Sequence, residues 1–258
     1  MMQVPLNISE RIGNAEWTVI SIGCSAARTF RLCSCDGSVM YLKVMNKAGK
    51  FSLQPEYERL EWLQGKLSVP QILDFAVEDE KEFLLTSEVC GVHAADQSWN
   101  DRLPVVVREL AKGLKAIHSI HVEGCPFDKS LSVRIREAEL NVTAGLVNED
   151  DFDIKRKGRK AADLFRELLE ARPDHEDLVF THGDYCLPNI LISGESLSGF
   201  IDWGHAGIAD RYQDIALAFR SFTFNFGEEW GRLFLQEYGL EEVDWRKVEY
   251  YQFLDEFF

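Results

Sequence analysis

The sequence has no apolar run approaching the ~20 residues needed to span a bilayer. It has no low-complexity segment and no C-x-x-C pair. Met1 to Asn14 lacks a basic stretch followed by an apolar core, which argues against a secretory signal. Positive charge is scarce: 28 Lys and Arg stand against 43 Asp and Glu, for a formal net charge of −15. Nucleic-acid binders meet phosphate with basic patches, so this balance argues against that class. The excess acid suits either of two roles, keeping a protein soluble or steering a cationic partner. Of the six cysteines, Cys33 and Cys35 are separated only by Ser34, with no His at zinc spacing. The cysteines read as free thiols in a reducing cytoplasm rather than as a disulfide or zinc frame.

What is present is a chain of 258 residues with 12% aromatics, long enough for one large domain or two small ones. Its most informative stretch runs from Thr181 to Gly204. Asp184 is followed by Asn189 on a turn shaped by Pro188, just before the apolar run Ile190 to Ile192. A second run, Leu197 to Ile201, ends at Asp202. Two extended runs joined through Gly194 predict a β-hairpin, which returns Asp202 to the side of Asn189. Carboxylate and amide oxygens gathered in this way suit Mg2+, which takes one or two carboxylates and leaves its other positions to water and phosphate. His182, Asp184, Asn189, Asp202 and Gly204 meet the kinase pattern H-x-D-x-x-x-x-N followed by D-x-G. In that pattern the first Asp orients the attacking hydroxyl, and the Asn and second Asp hold metal.

Upstream, three β-like runs (Trp17–Ile22, Thr29–Leu32 and Val39–Val44) precede a helix expected over Gln54–Leu67. The small-residue turn Gly23 to Ala27 is either an ordinary hairpin turn or a phosphate-approaching loop. Lys43 lies between Leu42 and Val44, where a Lys is costly unless paired or turned to water. Glu56, in the first turn of the helix, is the expected partner, with Glu58 as its rival; a strand Lys on a helix Glu is a recurring kinase part. Two more strands, Gln71–Val77 and Phe83–Ser87, flank an acidic turn at Glu78–Glu82. The break at Glu88–Gly91 then suggests a linker whose backbone around Ser87 and Val89 would meet an adenine. Helices are expected over a stripe of Val106, Leu110, Leu114 and Ile117 begun by Pro104, then Leu131–Thr143, Arg159–Ala171, Asp210–Phe226 and Asp244–Phe258. Between them, Asn148–Asp153 is either a solvated turn with an N-cap or one wall of a cation site.

The segments H-G-D-Y-C-L-P-N, S-G-F-I-D-W-G, G-I-A-D-R-Y-Q-D-I-A-L-A and the ending L-D-E-F-F resemble the aminoglycoside 3′-phosphotransferases, and V-P-Q-I-L, L-L-T-S-E and C-P-F match in order over nearly the whole chain. The resemblance implies an α+β, two-lobed, protein-kinase-like fold. A nucleotide-binding lobe would cover residues 1–88, a hinge 89–92, and a helical catalytic and substrate-binding lobe 93–258. It implies transfer of the γ-phosphate of ATP, with GTP as the alternative, to an aminoglycoside hydroxyl. Asp184 would be the catalytic base, and Asn189 and Asp202 would hold Mg2+. Lys43, kept in place by Glu56, would bind phosphates; Ser25 would position nucleotide, and Tyr41 would stack on adenine. The drug's ammonium groups would meet Asp153, Asp255, Glu256 and the terminal carboxylate of Phe258. Three positions depart from the family pattern. His205 stands where Arg is common, Trp203 where Leu or Cys is, and Ile154 beside Asp153 where some relatives have an acid. The first two border the catalytic centre and bear on rate or regiochemistry. Kinases of macrolides, homoserine or choline are the neighbouring alternatives within the enzyme class. A nucleotide-binding module with little turnover is the alternative outside it.

Overall fold

A computed structural model of the chain describes residues 3–20, 27–47 and 51–258. The chain divides into two compact units, Met1–His93 with Pro188–Gly204, and Ala94–Leu187 with His205–Phe258.

The first unit is built on an antiparallel sheet of β1 (Glu16–Ile20), β2 (Arg28–Cys33), β3 (Val39–Asn46), β4 (Ile72–Glu78) and β5 (Lys81–Ser87), in the order β1-β2-β3-β5-β4. The β-like runs of the sequence become strands because their alternation gives each face a different task. On one face Phe30, Leu32, Leu42, Val44, Phe83 and Leu85 form a core with Ile8, Ile12 and Ala15. Tyr41 and Lys43, at the intervening β3 positions, belong to the other face. The loop holding Ser25 falls outside the described residues.

Three features of this unit depart from the sequence-based expectation. The N-terminal stretch contains α1 (Leu6–Ile12). Seven residues are too few to hold a helix in water, so its periodicity is weak; burial of Ile8 and Ile12 against the sheet stabilises it. The helix expected to reach Leu67 is α2 (Gln54–Leu63). Gln64 leaves helical geometry at ψ 129°, and Gly65 turns the chain at φ 75°, well before Pro70. The acidic turn contracts to Asp79 and Glu80, at φ 49° and 59°, because a two-residue mirror-image turn matches strand twist. A second sheet in this unit has the order β6-β8-β9, joining β6 (Val92–His93) to the expected hairpin of β8 (Ile190–Ser193) and β9 (Ser196–Phe200).

The second unit is mainly helical: α3 (Leu103–His118), α4 (Leu131–Thr143), α5 (Ala161–Glu170), α6 (Tyr212–Phe226), α7 (Glu228–Tyr238) and α8 (Trp245–Asp255). Its strands β7 (Leu178–Thr181) and β10 (Gly207–Asp210) pair antiparallel. The apolar stripe of α3 is buried, as its spacing predicts. Asp210, expected in a helix, instead ends β10; its carboxylate accepts the Tyr212 N–H at 2.9 Å and Lys247 Nζ at 2.6 Å. Gly227, at φ 113°, closes α6 and sends the chain into α7, which no sequence signal had singled out. α8 stops at Asp255, so Glu256 to Phe258 do not continue the helix.

Candidate active site

β7 delivers the chain into the loop that carries Asp184. Thr181 Oγ1 donates to Gly207 O, and His182 is completely buried. Gly183 takes φ 83°, and a Cβ there would stand 2.2 Å from His205 O, so only glycine fits. The buried Asp214, in the first turn of α6, accepts the N–H groups of His182 at 2.7 Å and Gly183 at 2.8 Å. The Asp184 N–H donates to His182 Nδ1 at 3.3 Å, Tyr185 Oη to Leu110 O at 2.8 Å, and the Leu187 N–H to Ser221 Oγ at 3.0 Å. Tyr185 and Leu187 anchor the loop in the core while Asp184 stays half-buried. Arg134, Arg220 and Cys186 lie within electrostatic reach of Asp184. Burial, reinforced by the charge of Asp184, pushes the Cys186 thiol well above its usual value.

The other cluster lies wholly within the first unit. Ile190 pairs with Phe200, and the Ile201 N–H donates to Asn189 O at 2.9 Å. The hairpin therefore sets the backbones at Asn189 and Asp202 side by side, as the sequence predicts. Lys43 Nζ donates to both carboxylate oxygens of Glu56, at 2.7 and 2.8 Å, and to Asp202 Oδ1 at 3.2 Å. Glu58, the rival partner, accepts from Gln54 Nε2 instead. Burial alone would lower the Lys43 pKa; Glu56 and then Asp202 outweigh it and hold the ammonium above its ordinary value. Asp202 has φ 65°, a left-handed conformation uncommon outside glycine that tends to persist where function needs it. Its side chain is 41% exposed, against 9% for Glu56. Trp203 points away into the core, fully buried, with Nε1 donating to Phe200 O at 3.2 Å. Its bulk is therefore absorbed by packing.

The donors of Asn189 and Asp202 fit Mg2+. Both are hard oxygens on adjacent backbone, and the exposed carboxylate leaves room for phosphate and water. Among the described residues no group of three or more His, Cys, Asp and Glu gathers as a metal cage. Of the expected nucleotide contacts, half-buried Tyr41 shares the strand face of Lys43. The Ser87 N–H is taken by Gln71 O at 2.9 Å, and Ser87 Oγ accepts the Gln71 N–H. Val89 packs so closely on Gly199 that a Cβ there would approach Val89 Cγ1 to 2.8 Å.

The expected cation-binding residues lie in the second unit, and two of them meet: the Asp153 N–H donates to Glu256 Oε2 at 3.3 Å. These acids do not stand bare. Arg156 donates to Glu256 Oε1 at 2.5 Å, and Arg220 pairs with Asp255. Burial pushes the Glu256 carboxyl up despite Arg156. Phe258 is half-exposed, with the Arg134 guanidinium 3.5 Å from its ring centre. Phe257, fully buried, anchors the end of α8, and its carbonyl accepts from Asn141 Nδ2. Asp153, Ile154 and His205 are exposed.

Residues 16–251 match the phosphotransferase enzyme family. An aminoglycoside 3′-phosphotransferase of Niallia circulans is 41% identical over 98% of this chain and 97% of its own length. The chain belongs to the aminoglycoside phosphotransferase family. Solved members of that family share its fold, a kinase-like arrangement of a β-rich N-terminal lobe and a helical C-terminal lobe. The crystal structure of an aminoglycoside-3′-phosphotransferase of type VIII superposes with TM-score 0.86 at 34% identity, covering 97% of this chain and 96% of that one. A Streptomyces rimosus aminoglycoside phosphotransferase, APH(3′′)-Id, solved with ADP and streptomycin, superposes with TM-score 0.82 at 28% identity, covering 97% and 95%.

Sequence reasoning did not single out Arg134, Arg156, Arg220, Cys186 or Asp214. Arg134 and Arg220 left a faint signal, as charges within helices that also carry core positions. Asp214 left a fainter one, an acid in the first turn of an apolar helix that reads equally as a dipole partner.

Proposed function

We propose that the protein transfers the γ-phosphate of ATP to a hydroxyl of an aminoglycoside, at the 3′ position, and so confers resistance. The observation that carries the reading is the ion set of Lys43, Glu56 and Asp202, in which a cation suited to phosphate lies beside a carboxylate suited to a metal. The 41% identity to an aminoglycoside 3′-phosphotransferase supports the substrate class and the 3′ position. Because the 3′′ enzyme shares the same fold, it is this sequence likeness, not the fold, that supports 3′ selectivity.

In this reading Asp184 accepts or orients the proton of the attacking hydroxyl. Lys43 neutralises charge on the phosphates, and Glu56 fixes its ammonium. Asn189 and Asp202 hold Mg2+, which supplies charge neutralisation on the phosphate oxygens. Tyr41 and the backbone near Val89 take the adenine, with Ser25 in the nucleotide loop. Asp153, Asp255 and Glu256 receive ammonium groups, with His205 and Phe258 at the edge of that site. Arg220 on Asp255 and Arg156 on Glu256 hold those two carboxylates in place before the drug arrives. The transition state is loose and highly charged, so the protein's task is positioning and electrostatics.

The test is ADP release coupled to a panel of aminoglycosides, macrolides and small amino alcohols, with a 3′-deoxy aminoglycoside included. Turnover restricted to aminoglycosides, with the 3′-deoxy compound acting as a competitive inhibitor, is the expected result. Efficient turnover of the 3′-deoxy compound removes the 3′ assignment. Turnover of a macrolide or amino alcohol in place of the aminoglycosides removes the substrate class.

A further inference from the structure

α2 is ten residues long. A helix of that length is marginal on its own hydrogen bonds, and its first N–H groups need acceptors from outside it. Leu53, the residue at its start, supplies no side-chain cap. The acceptors come instead from Glu82 on β5, a carboxylate only 5% exposed. Glu82 Oε2 accepts the Leu53 N–H at 2.5 Å, and Ser52 Oγ donates to the two Glu82 oxygens at 3.0 and 2.8 Å. Ser52 Oγ in turn accepts the Gln54 N–H at 3.0 Å. A buried carboxylate needs donors of this kind, and its charge also faces the positive end of the helix dipole.

The place of Glu82 on the sheet joins this cap to the ion set. β3 and β5 pair so that Leu84 stands opposite Lys43 and Glu82 opposite Met45. Opposed residues share a face, as do residues two apart, so Glu82 lies on the Lys43 face and not on the core face of Phe83 and Leu85. Glu56 is in the first turn of α2, three residues beyond Leu53. The sheet therefore grips the helix at two points of opposite polarity. Its carboxylate takes helix N–H groups, and its ammonium takes the helix carboxylate. Helix ends are the parts that fray. Glu56 is therefore the member of the ion set that loss of this cap would release, leaving Lys43 to lean on Asp202.

We infer that Glu82, working with Ser52, is a positioning residue for the reaction and acts by keeping Glu56 on Lys43. Glu82 touches neither nucleotide nor drug in this role. The inference rests on the proposed role of Lys43 for its effect on rate. The tether on the first turn of α2 stands without it.

The experiment compares Glu82→Ala, Glu82→Gln and Ser52→Ala with Phe83→Leu, a core change on the other face of β5. Gln keeps an acceptor oxygen for the Leu53 N–H; Ala keeps none. Amide hydrogen exchange is read first, as the rate over residues 53–57 relative to residues 60–63, because it needs no substrate. Glu82→Ala should raise that ratio about tenfold, Glu82→Gln and Ser52→Ala by less, and Phe83→Leu not at all. With ATP and an aminoglycoside, Glu82→Ala should lower kcat/KM for ATP about tenfold, and by no more than Glu56→Ala does, while the drug KM stays within about twofold. Glu82→Gln should recover most of the loss. The deciding measurement repeats Glu82→Ala in a chain that already carries Glu56→Ala, where the further loss should be under about twofold. An unchanged exchange ratio in Glu82→Ala overturns the tether. A full tenfold loss in the absence of Glu56, or a changed ratio with unchanged kcat/KM, overturns the positioning role. Failure of the parent to turn over any aminoglycoside sinks the proposed function, while the exchange ratio still decides the tether.

Discussion

Lys43 shows how a residue that is costly to the fold is held by the carboxylates around it. It stands in β3 between the buried Leu42 and Val44, its ammonium donating to two carboxylates. Removing one partner of so enclosed a pair costs about 3 kcal/mol or more, because the remaining charge loses its compensation. Lys43→Ala should lower kcat/KM for ATP by about 100-fold, and Glu56→Ala by less, since Asp202 still holds the ammonium. Because Lys43 and Glu56 act together, the double variant should lose less than the sum of the single losses; steady-state kinetics over the four proteins measures the coupling. Asp184→Ala should abolish most turnover and leave ATP affinity nearly intact, which equilibrium nucleotide binding checks. Activity within about tenfold of the parent removes Asp184 from its role.

At the scale of elements, the loop carrying Asp184 depends on backbone geometry that no other residue supplies. Gly183→Ala would place a methyl 2.2 Å from His205 O, so the loop must shift. A displacement of about 1 Å suffices for a loss near 100-fold in kcat. The melting temperature of this variant, measured alongside, separates a moved loop from an unfolded chain. α8 offers the contrasting case. Its N-cap, Asp244, accepts the N–H groups of Arg246 and Lys247. Asp244→Ala should cost about 1 kcal/mol and lower Tm by about 2–4 °C with kcat unchanged. A fall in kcat without a fall in Tm would show that the cap reaches the active site.

For the whole molecule, the acidic balance gains meaning where acids gather in the second unit. Burial raises the Glu256 pKa above its unfolded value. Its contribution to stability is therefore fully present below the unfolded value and lost as pH rises through the raised one. A bound ammonium acts in the opposite sense, favouring the carboxylate, so drug binding should release a proton in that window. The KM for aminoglycosides should fall as pH rises through the raised Glu256 pKa, and the slope should flatten in Glu256→Gln. A slope unchanged by the substitution would place the titrating group elsewhere. Added salt should raise the drug KM more than the ATP KM in the parent, because exposed Asp153 is screened.

Residue spacing alone located the Asp184 loop, the Asn189–Asp202 hairpin and the α3 core stripe. Each rests on local rules: a turn between extended runs, a period of 3.6, a motif of fixed offsets. The same rules exposed Lys43, because an ammonium within an apolar strand demands a partner. They were silent on α1, whose two buried isoleucines have no meaning until a sheet lies beside them. They named Glu56 for Lys43 but were silent on which cations hold the acids of the second unit. Arg156 and Glu256 stand 100 residues apart, and His118 and Asp214 stand 96 apart. Pairings at such separations leave no periodicity, and only the packing of α3, α6, α7 and α8 decides them. Local sequence therefore determined which groups are candidates for the chemistry, and tertiary structure decided which buried neighbours hold them in place. The physical reason is that backbone preference acts over a few residues, whereas compensating a buried charge requires whichever donors the folded chain brings near.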